Sequence, residues 1–136
     1  MLYKLLKFQK IEDPSGNMSI IEANNNIPFL VKRLFYIYET STNIMRGKHA
    51  NRNSEFILIC LSGSVTIRIT NGKDCEEIVL NDPNEGIYIP KMIWKDMYNF
   101  SLGSILLVLS DSFYDKDEYI RDYACYCNLM NGANYE

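Results

Sequence analysis

Apolar and polar positions alternate with a period of two along most of the chain, in short stretches broken by clusters of Gly, Pro, Asn and Asp, the pattern of strands joined by turns. Ser64–Thr70 is the clearest case, with Val65, Ile67 and Ile69 alternating with Thr66, Arg68 and Thr70. The same pattern predicts strands over Leu2–Ile11, Met18–Glu22, Leu30–Glu39, a segment carrying His49, Glu76–Leu80, Ile87–Pro90, Trp94–Phe100 and Ile105–Ser110. Phe56–Leu61 is apolar at every position, so both faces of that strand should be buried. Asp13–Gly16, Asn24–Asn26, Thr40–Asn43, Ser62-Gly63 and Asp82–Asn84 supply turns. Asn71-Gly72 reads as a tight hairpin turn in which both residues take positive φ. About ten strands suit a small double-sheet β-barrel of the jelly-roll kind. Beyond Asp111 the spacing changes: Asp115–Asn128 is acidic first, with Tyr119, Ile120, Tyr123 and Tyr126 at roughly helical intervals. The expected class is therefore all-β with a short C-terminal helical tail.

Composition narrows the picture. The 136 residues, 47% of them hydrophobic, suit one compact core, and a single domain over 1–136 is expected. No apolar run is long enough to cross a bilayer, and the N-terminus has neither the apolar stretch nor the cleavage site of a signal peptide, so a cytoplasmic protein is expected. Four cysteines without CxxC spacing read as reduced thiols. The net charge of −3 and the absence of a basic tract argue against a nucleic-acid partner. The local group Lys32, Arg33, Arg46, Lys48 and Arg52 reads either as a solvated face or as a site for an anion.

The chemistry concentrates around the only histidine. Gly47-Lys48-His49-Ala50-Asn51, followed by an apolar strand ending at Ser62-Gly63, resembles the first cupin motif, Gly…His-x-His-x(3-4)-Glu-x(6)-Gly, with Asn51 at the second histidine and Phe56 at the glutamate. Pro90-Lys91-Met92, Lys95 and Asn99 align with the second, Pro-x-Gly-x(2)-His-x(3)-Asn, with Met92 for glycine and Lys95 for histidine. An ammonium and a phenyl ring offer a metal no lone pair, so no bound metal is expected. General acid–base work or simple binding remains. On an extended strand residues two apart point the same way, so His49 and Asn51 should project side by side into the barrel mouth.

Asn17–Glu22, Ile27–Phe29, Lys32-Arg33, Tyr36-Ile37, Arg46–Ala50, Leu58–Ser64, Gly86–Ile89, Trp94, Phe100-Ser101, Tyr114-Asp115 and Tyr119–Tyr123 together, and in this order, resemble the dTDP-4-keto-6-deoxyglucose 3,4-ketoisomerases over nearly the whole chain. The resemblance implies a cofactor-free cytoplasmic enzyme, homodimeric with exchanged N-terminal strands, acting on a dTDP-linked 4-keto-6-deoxy sugar. Its product would be a 3-keto isomer on the way to 3-acetamido-3,6-dideoxyhexoses of surface glycans. Carried over by position, His49 is the base, Arg46 and Tyr36 contact pyrophosphate or sugar, and Arg33 and Arg121 are further candidates, with surface or ion-pair roles as their alternative. Lys95 is expected to bind substrate. Asn51, Tyr36 or a backbone N–H would steady the enolate oxygen. Two positions depart from the family: Asn51 where a histidine is usual, and Ser15 where an arginine is common. The first leaves open a non-catalytic sugar-nucleotide-binding cupin, or an enzyme of impaired activity, because an amide cannot carry a proton near neutral pH.

Overall fold

The computed structural model describes residues 2–133, which form twelve strands and one helix. In chain order the strands are β1 (Lys4–Lys7), β2 (Gln9–Asp13), β3 (Gly16–Ile20), β4 (Arg33–Tyr38), β5 (Arg46–Asn51), β6 (Phe56–Ser62), β7 (Val65–Thr70), β8 (Cys75–Leu80), β9 (Glu85–Ile89), β10 (Trp94–Tyr98), β11 (Ile105–Ser110) and β12 (Tyr119–Ile120), followed by α1 (Tyr123–Ala133). One five-stranded sheet has the order β1-β9-β6-β11-β4, the other β12-β5-β10-β7-β8. From β4 to β11 the chain crosses between the sheets in the manner of a jelly roll. The two sheets face each other as separate ladders, so the enclosure is a double-sheet sandwich and not a continuously hydrogen-bonded cylinder.

The alternation read from the sequence sets what lies between them. Leu58 and Cys60 of β6, Leu106 and Val108 of β11, Ile87 and Ile89 of β9, and Val65, Ile67 and Ile69 of β7 form one buried cluster. The intervening residues of β6, Ile57 and Ile59, pack on the other face against Phe8, Ile27 and Phe29. Both faces of β6 are thus covered through Cys60, because the segment around Ile27–Phe29 lies over the outer face of its sheet, whereas Leu61 is exposed.

Three local expectations are corrected. The first strand is broken at Phe8, whose buried ring and paired backbone end β1: Phe8 N donates to Asn84 O at 3.0 Å, and Asn84 Nδ2 donates to Phe8 O at 3.1 Å. Beyond it, β2 and β3 form a separate exposed two-stranded hairpin. The turn at Asn71-Gly72 is a four-residue loop between Thr70 and Cys75. Asn71 Oδ1 accepts from the amides of Lys73 and Asp74, and only Gly72 of the pair has positive φ. The tail is also not one helix from Asp115. Asp115 caps a 3-10 turn (Lys116–Glu118), accepting from Asp117 N, and Asp122 Oδ1 accepts from Cys125 N at the start of α1. Two capping aspartates look like a single acidic helix start in the sequence; between them the chain adds β12 to the edge of β5.

Helix α1 is fastened by Tyr126, which is fully buried against Trp94, Ala50 and Ile120. Its hydroxyl lies 2.7 Å from Met92 O and 3.1 Å from Thr70 O, and its single proton serves one carbonyl at a time. All four cysteines are free.

Candidate active site

A cavity of about 220 Å³ opens between the sheets, walled by Phe35 and Ile37 of β4, Arg46, Gly47 and His49 of β5, Phe56 and Leu58 of β6, Lys95 and Met97 of β10, Val108 of β11, and Tyr119 and Arg121. Its position depends on an irregularity in β5. His49 pairs with Lys95 and Gly47 with Asp96, so Lys48 is an extra residue in the ladder, a bulge of the kind that redirects neighbouring side chains. Gly47 and Lys48 both have positive φ, +82° and +59°. A Cβ on Gly47 would come within 2.8 Å of Lys95 O, so glycine is required there on two counts.

The bulge holds the imidazole of His49 as well as aiming it. Nδ1 lies 3.0 Å from Gly47 O, and since a carbonyl only accepts, Nδ1 carries the proton and donates. Nε2 keeps its lone pair. Tyr119 of β12 packs against the ring, tilted by 51°, at 4.8 Å between centroids. Burial, followed by the Lys95 ammonium, holds the imidazole down at about 4 despite the opposing Gly47 hydrogen bond; Arg121 lowers it further and Glu118 raises it slightly. At neutral pH this is an uncharged base.

Among the described residues the charges on the cavity wall are all positive: Arg46, Lys95 and Arg121. The guanidinium of Arg121 lies 4.7 Å over the Tyr119 ring. The nearby carboxylate of Glu118 is occupied elsewhere. One of its oxygens accepts from the amides of Asn53 and Ser54, at 3.0 Å each, and the other from the Ser54 hydroxyl. Such a wall attracts an anionic ligand and leaves the imidazole neutral.

Not every residue expected here reaches the cavity. His49, Arg46, Lys95 and Arg121 do. Asn51 shares the inward face of β5 with His49 but lies behind the wall, 1% exposed, with Oδ1 accepting from Lys95 Nζ at 3.2 Å and Nδ2 unpartnered. The two side chains point the same way at different depths, not side by side at the mouth. Tyr36 is on the opposite face of β4 from Phe35 and Ile37, 59% exposed and against Tyr38, so period two removes it from the cavity. Arg33 is on the inward side but stops short of the wall. Its guanidinium lies 5.6–5.8 Å over the rings of Phe35, Phe56 and Tyr114, and Nη2 donates to Ser110 Oγ at 3.5 Å. Among the described residues neither Arg33 nor Arg121 has an ion pair.

Tyr119 was missed from the sequence although it covers the imidazole of His49. The signal was there: Tyr119 and Arg121 are two apart, and read as a strand they share a face, whereas helical spacing separates them. At the positions corresponding to cupin metal ligands, His49 has for company an amide, a phenyl ring and an ammonium, a donor set that does not fit a divalent metal. Met92, at the glycine position of the second motif, has φ +63°. This backbone costs a non-glycine residue about 1–3 kcal/mol. It is held by Met92 N donating to Asn51 O at 2.8 Å and by the Tyr126 hydroxyl on Met92 O.

Comparison with known proteins matches the chain and its fold to a family. The family model described as FdtA: WxcM-like, C-terminal, matches residues 1–131. TDP-4-oxo-6-deoxy-alpha-D-glucose-3,4-oxoisomerase of Aneurinibacillus thermoaerophilus is 39% identical over 133 residues, 98% of this chain and 96% of that protein. The crystal structure of WlaRA, a TDP-fucose-3,4-ketoisomerase from Campylobacter jejuni, is 48% identical and superposes with a TM-score of 0.92 over 97% of this chain and 98% of its own. A histidine-to-asparagine variant of QdtA, a 3,4-ketoisomerase from Thermoanaerobacterium thermosaccharolyticum in complex with TDP-4-keto-6-deoxyglucose, superposes with a TM-score of 0.95 at 38% identity over 99% and 98% of the two chains.

Proposed function

The chain belongs to the FdtA, WxcM-like C-terminal family, and we infer that it is a TDP-sugar 3,4-ketoisomerase whose substrate is a TDP-linked 4-keto-6-deoxyhexose. The observation that carries the reading at residue level is a neutral imidazole with an open Nε2, set among three cations in a cavity whose wall, among the described residues, has no carboxylate. A cavity of about 220 Å³ is smaller than the roughly 300–1,000 Å³ of sites that enclose a drug-sized ligand. It suits one sugar ring, with the nucleotide lying outside.

The chemistry follows from the substrate. The C4 ketone acidifies the proton on C3; His49 Nε2 removes it, and an enediol forms across C3 and C4. Return of the proton to C4 leaves the ketone at C3. Arg46 and Arg121 hold the pyrophosphate, for which planar guanidinium groups are well matched, and binding energy spent there positions the distant ring. No metal enters this scheme.

The enzyme acts as one domain, in the cytoplasm, as a homodimer, in the supply of 3-amino sugars for surface glycans. The exposed β2–β3 hairpin supports the dimer: Ile11 and Met18 are largely open to solvent, and an isolated two-stranded ribbon is only marginally stable. A second copy gives it a sheet to join. The catalytic reading is preferred to the non-catalytic binder because the relatives named above are isomerases and the imidazole is present and open.

Incubation with TDP-4-keto-6-deoxyglucose, followed by NMR, tests the reading. The expected result is loss of the 4-keto signals and growth of a 3-keto isomer. Binding of TDP with unchanged substrate would overturn it in favour of the binder.

A further inference from the structure

Moving hydrogen from C3 to C4 is half of a ketoisomerisation; a proton must also reach O4 and another must leave O3. Neither Tyr36 nor Asn51, the side chains expected to face these oxygens, lines the cavity. Resting on the ketoisomerase reading, we propose that Lys95 is a second catalytic residue, whose Nζ carries the proton between O4 and O3 while His49 carries the one between the carbons.

The placement is direct. Lys95 pairs with His49 across the β5–β10 ladder, so both side chains enter one cavity from neighbouring strands. Only 4% of Lys95 is exposed, and the residue lines the cavity wall. Its Nζ sits 4.6 Å over the Phe56 ring and donates to Asn51 Oδ1. Among the described residues no carboxylate lies within ion-pair distance of it. The charged and titratable groups around it are His49 and Arg46 of β5, Tyr119 of β12, Arg121 beyond it, and Glu118 of the 3-10 turn, whose carboxylate is already taken by Asn53 and Ser54.

A buried ammonium with one amide acceptor is a costly arrangement for packing alone. It is well suited to proton transfer. Burial pushes the group down to about 7, against a smaller upward pull from Glu118, so ammonium and amine are both populated near neutral pH. Asn51 then acts as a positioning residue. Its orphaned Nδ2 cannot accept, and its Oδ1 fixes Nζ without competing for the proton.

The two steps balance. The C3–H bond breaks with its proton going to His49 Nε2, and its electron pair becomes the C3=C4 double bond. The carbonyl π pair moves to O4, which takes a proton from the Lys95 ammonium. In the second step the Lys95 amine takes the O3 proton, the O–H pair forms the C3 carbonyl, and the double-bond pair takes the His49 proton onto C4. Enzyme and oxidation state return to where they began.

Lys95→Arg and Lys95→Gln test this against a purely electrostatic role, since arginine keeps the charge but holds its proton above pH 12 and glutamine keeps a donor without the charge. Binding of TDP, measured by calorimetry, should stay within a few-fold in both. Isomerisation should fall at least about 100-fold in both, the lower range for loss of an acid–base group. Incorporation of deuterium at C3 from D2O should survive better in Lys95→Arg, where charge still steadies the enolate. Turnover of Lys95→Arg within about ten-fold of the unaltered enzyme would overturn the proposal. The unaltered enzyme gives a second reading that does not depend on the variants folding: kcat/KM should fall as pH rises through about 7, where the ammonium is lost. A profile flat to about pH 9 would equally overturn it. If the unaltered enzyme bound TDP but gave neither product nor C3 exchange, the ketoisomerase reading itself would fail, and this proposal with it.

Discussion

The interior of the double sheet and its open end are built from the same strands by opposite rules. Ile67, Ile69 and Leu106 are buried among apolar neighbours, where every contact removes hydrocarbon from water. At the cavity, Lys95, Asn51 and Glu118 are almost as deeply buried, yet one is a cation, one an amide with an orphaned N–H, and one a carboxylate. Burial stabilises the first region and costs the second. The difference marks where stability is given up for reactivity, and several measurements can break or sharpen it.

The largest effect is expected from His49→Ala. It should lower isomerisation by about 100- to 10,000-fold while changing TDP binding only a few-fold. Arg46→Ala should do the reverse, weakening TDP by roughly ten-fold with a smaller effect on turnover of bound substrate. Calorimetry and single-turnover NMR separate the two; a His49→Ala enzyme that still turned over would remove the base from its role.

Leu106→Ala probes the interior. Deleting its buried branch should cost about 2–5 kcal/mol in urea unfolding, while the turnover of molecules that remain folded stays near that of the parent. A comparable loss of rate per folded molecule would show that the two regions are not separable.

The pH dependence of stability reports on the cavity alone. The Lys95 ammonium gives up its proton at about 7 in the fold against an ordinary 10.5, so between these values the unfolded chain holds more protons and stability rises with pH. The contribution is on the order of a few kcal/mol. His49, lowered to about 4 from 6.5, acts in the same sense over the more acid window. Lys95→Met should flatten the alkaline rise relative to the parent; equal slopes would mean that the ammonium is not the group responsible.

The smallest effect is expected from Asn51→His. An imidazole there would replace the amide acceptor of Lys95, and turnover should stay within a few-fold of the parent or rise. A steeper loss would show that the site has become adapted to the amide.

The interior was legible in the sequence because it obeys one periodicity. Val65, Ile67 and Ile69 announce their strand and its buried face, and Ile105–Ser110 has the bounds expected of it. His49 could be found because it is the only histidine and follows Arg46-Gly47. The rest of the cavity was harder to read because it depends on departures from periodicity. Gly47 and Lys48 form a bulge that no alternation signals, and Tyr36 falls on the wrong face of β4 by one residue. Tyr119 belongs to a two-residue strand, too short for a pattern and masked by helical spacing around it. Nor does lysine at a motif position tell how deeply it is buried, which is what gives Lys95 its chemistry.

Tyr119 opens β12, the last strand of its sheet, and Arg121 follows directly; both are held at the edge of β5 next to a helix pinned through Tyr126. Synthesis on the ribosome therefore supplies the cover for His49 only after the eleven preceding strands have been made. A polypeptide trimmed back past residue 119 would lose β12, the Tyr126 anchor and the cover of the imidazole together, so the edge of the sheet and the ring beneath it stand or fall as one unit.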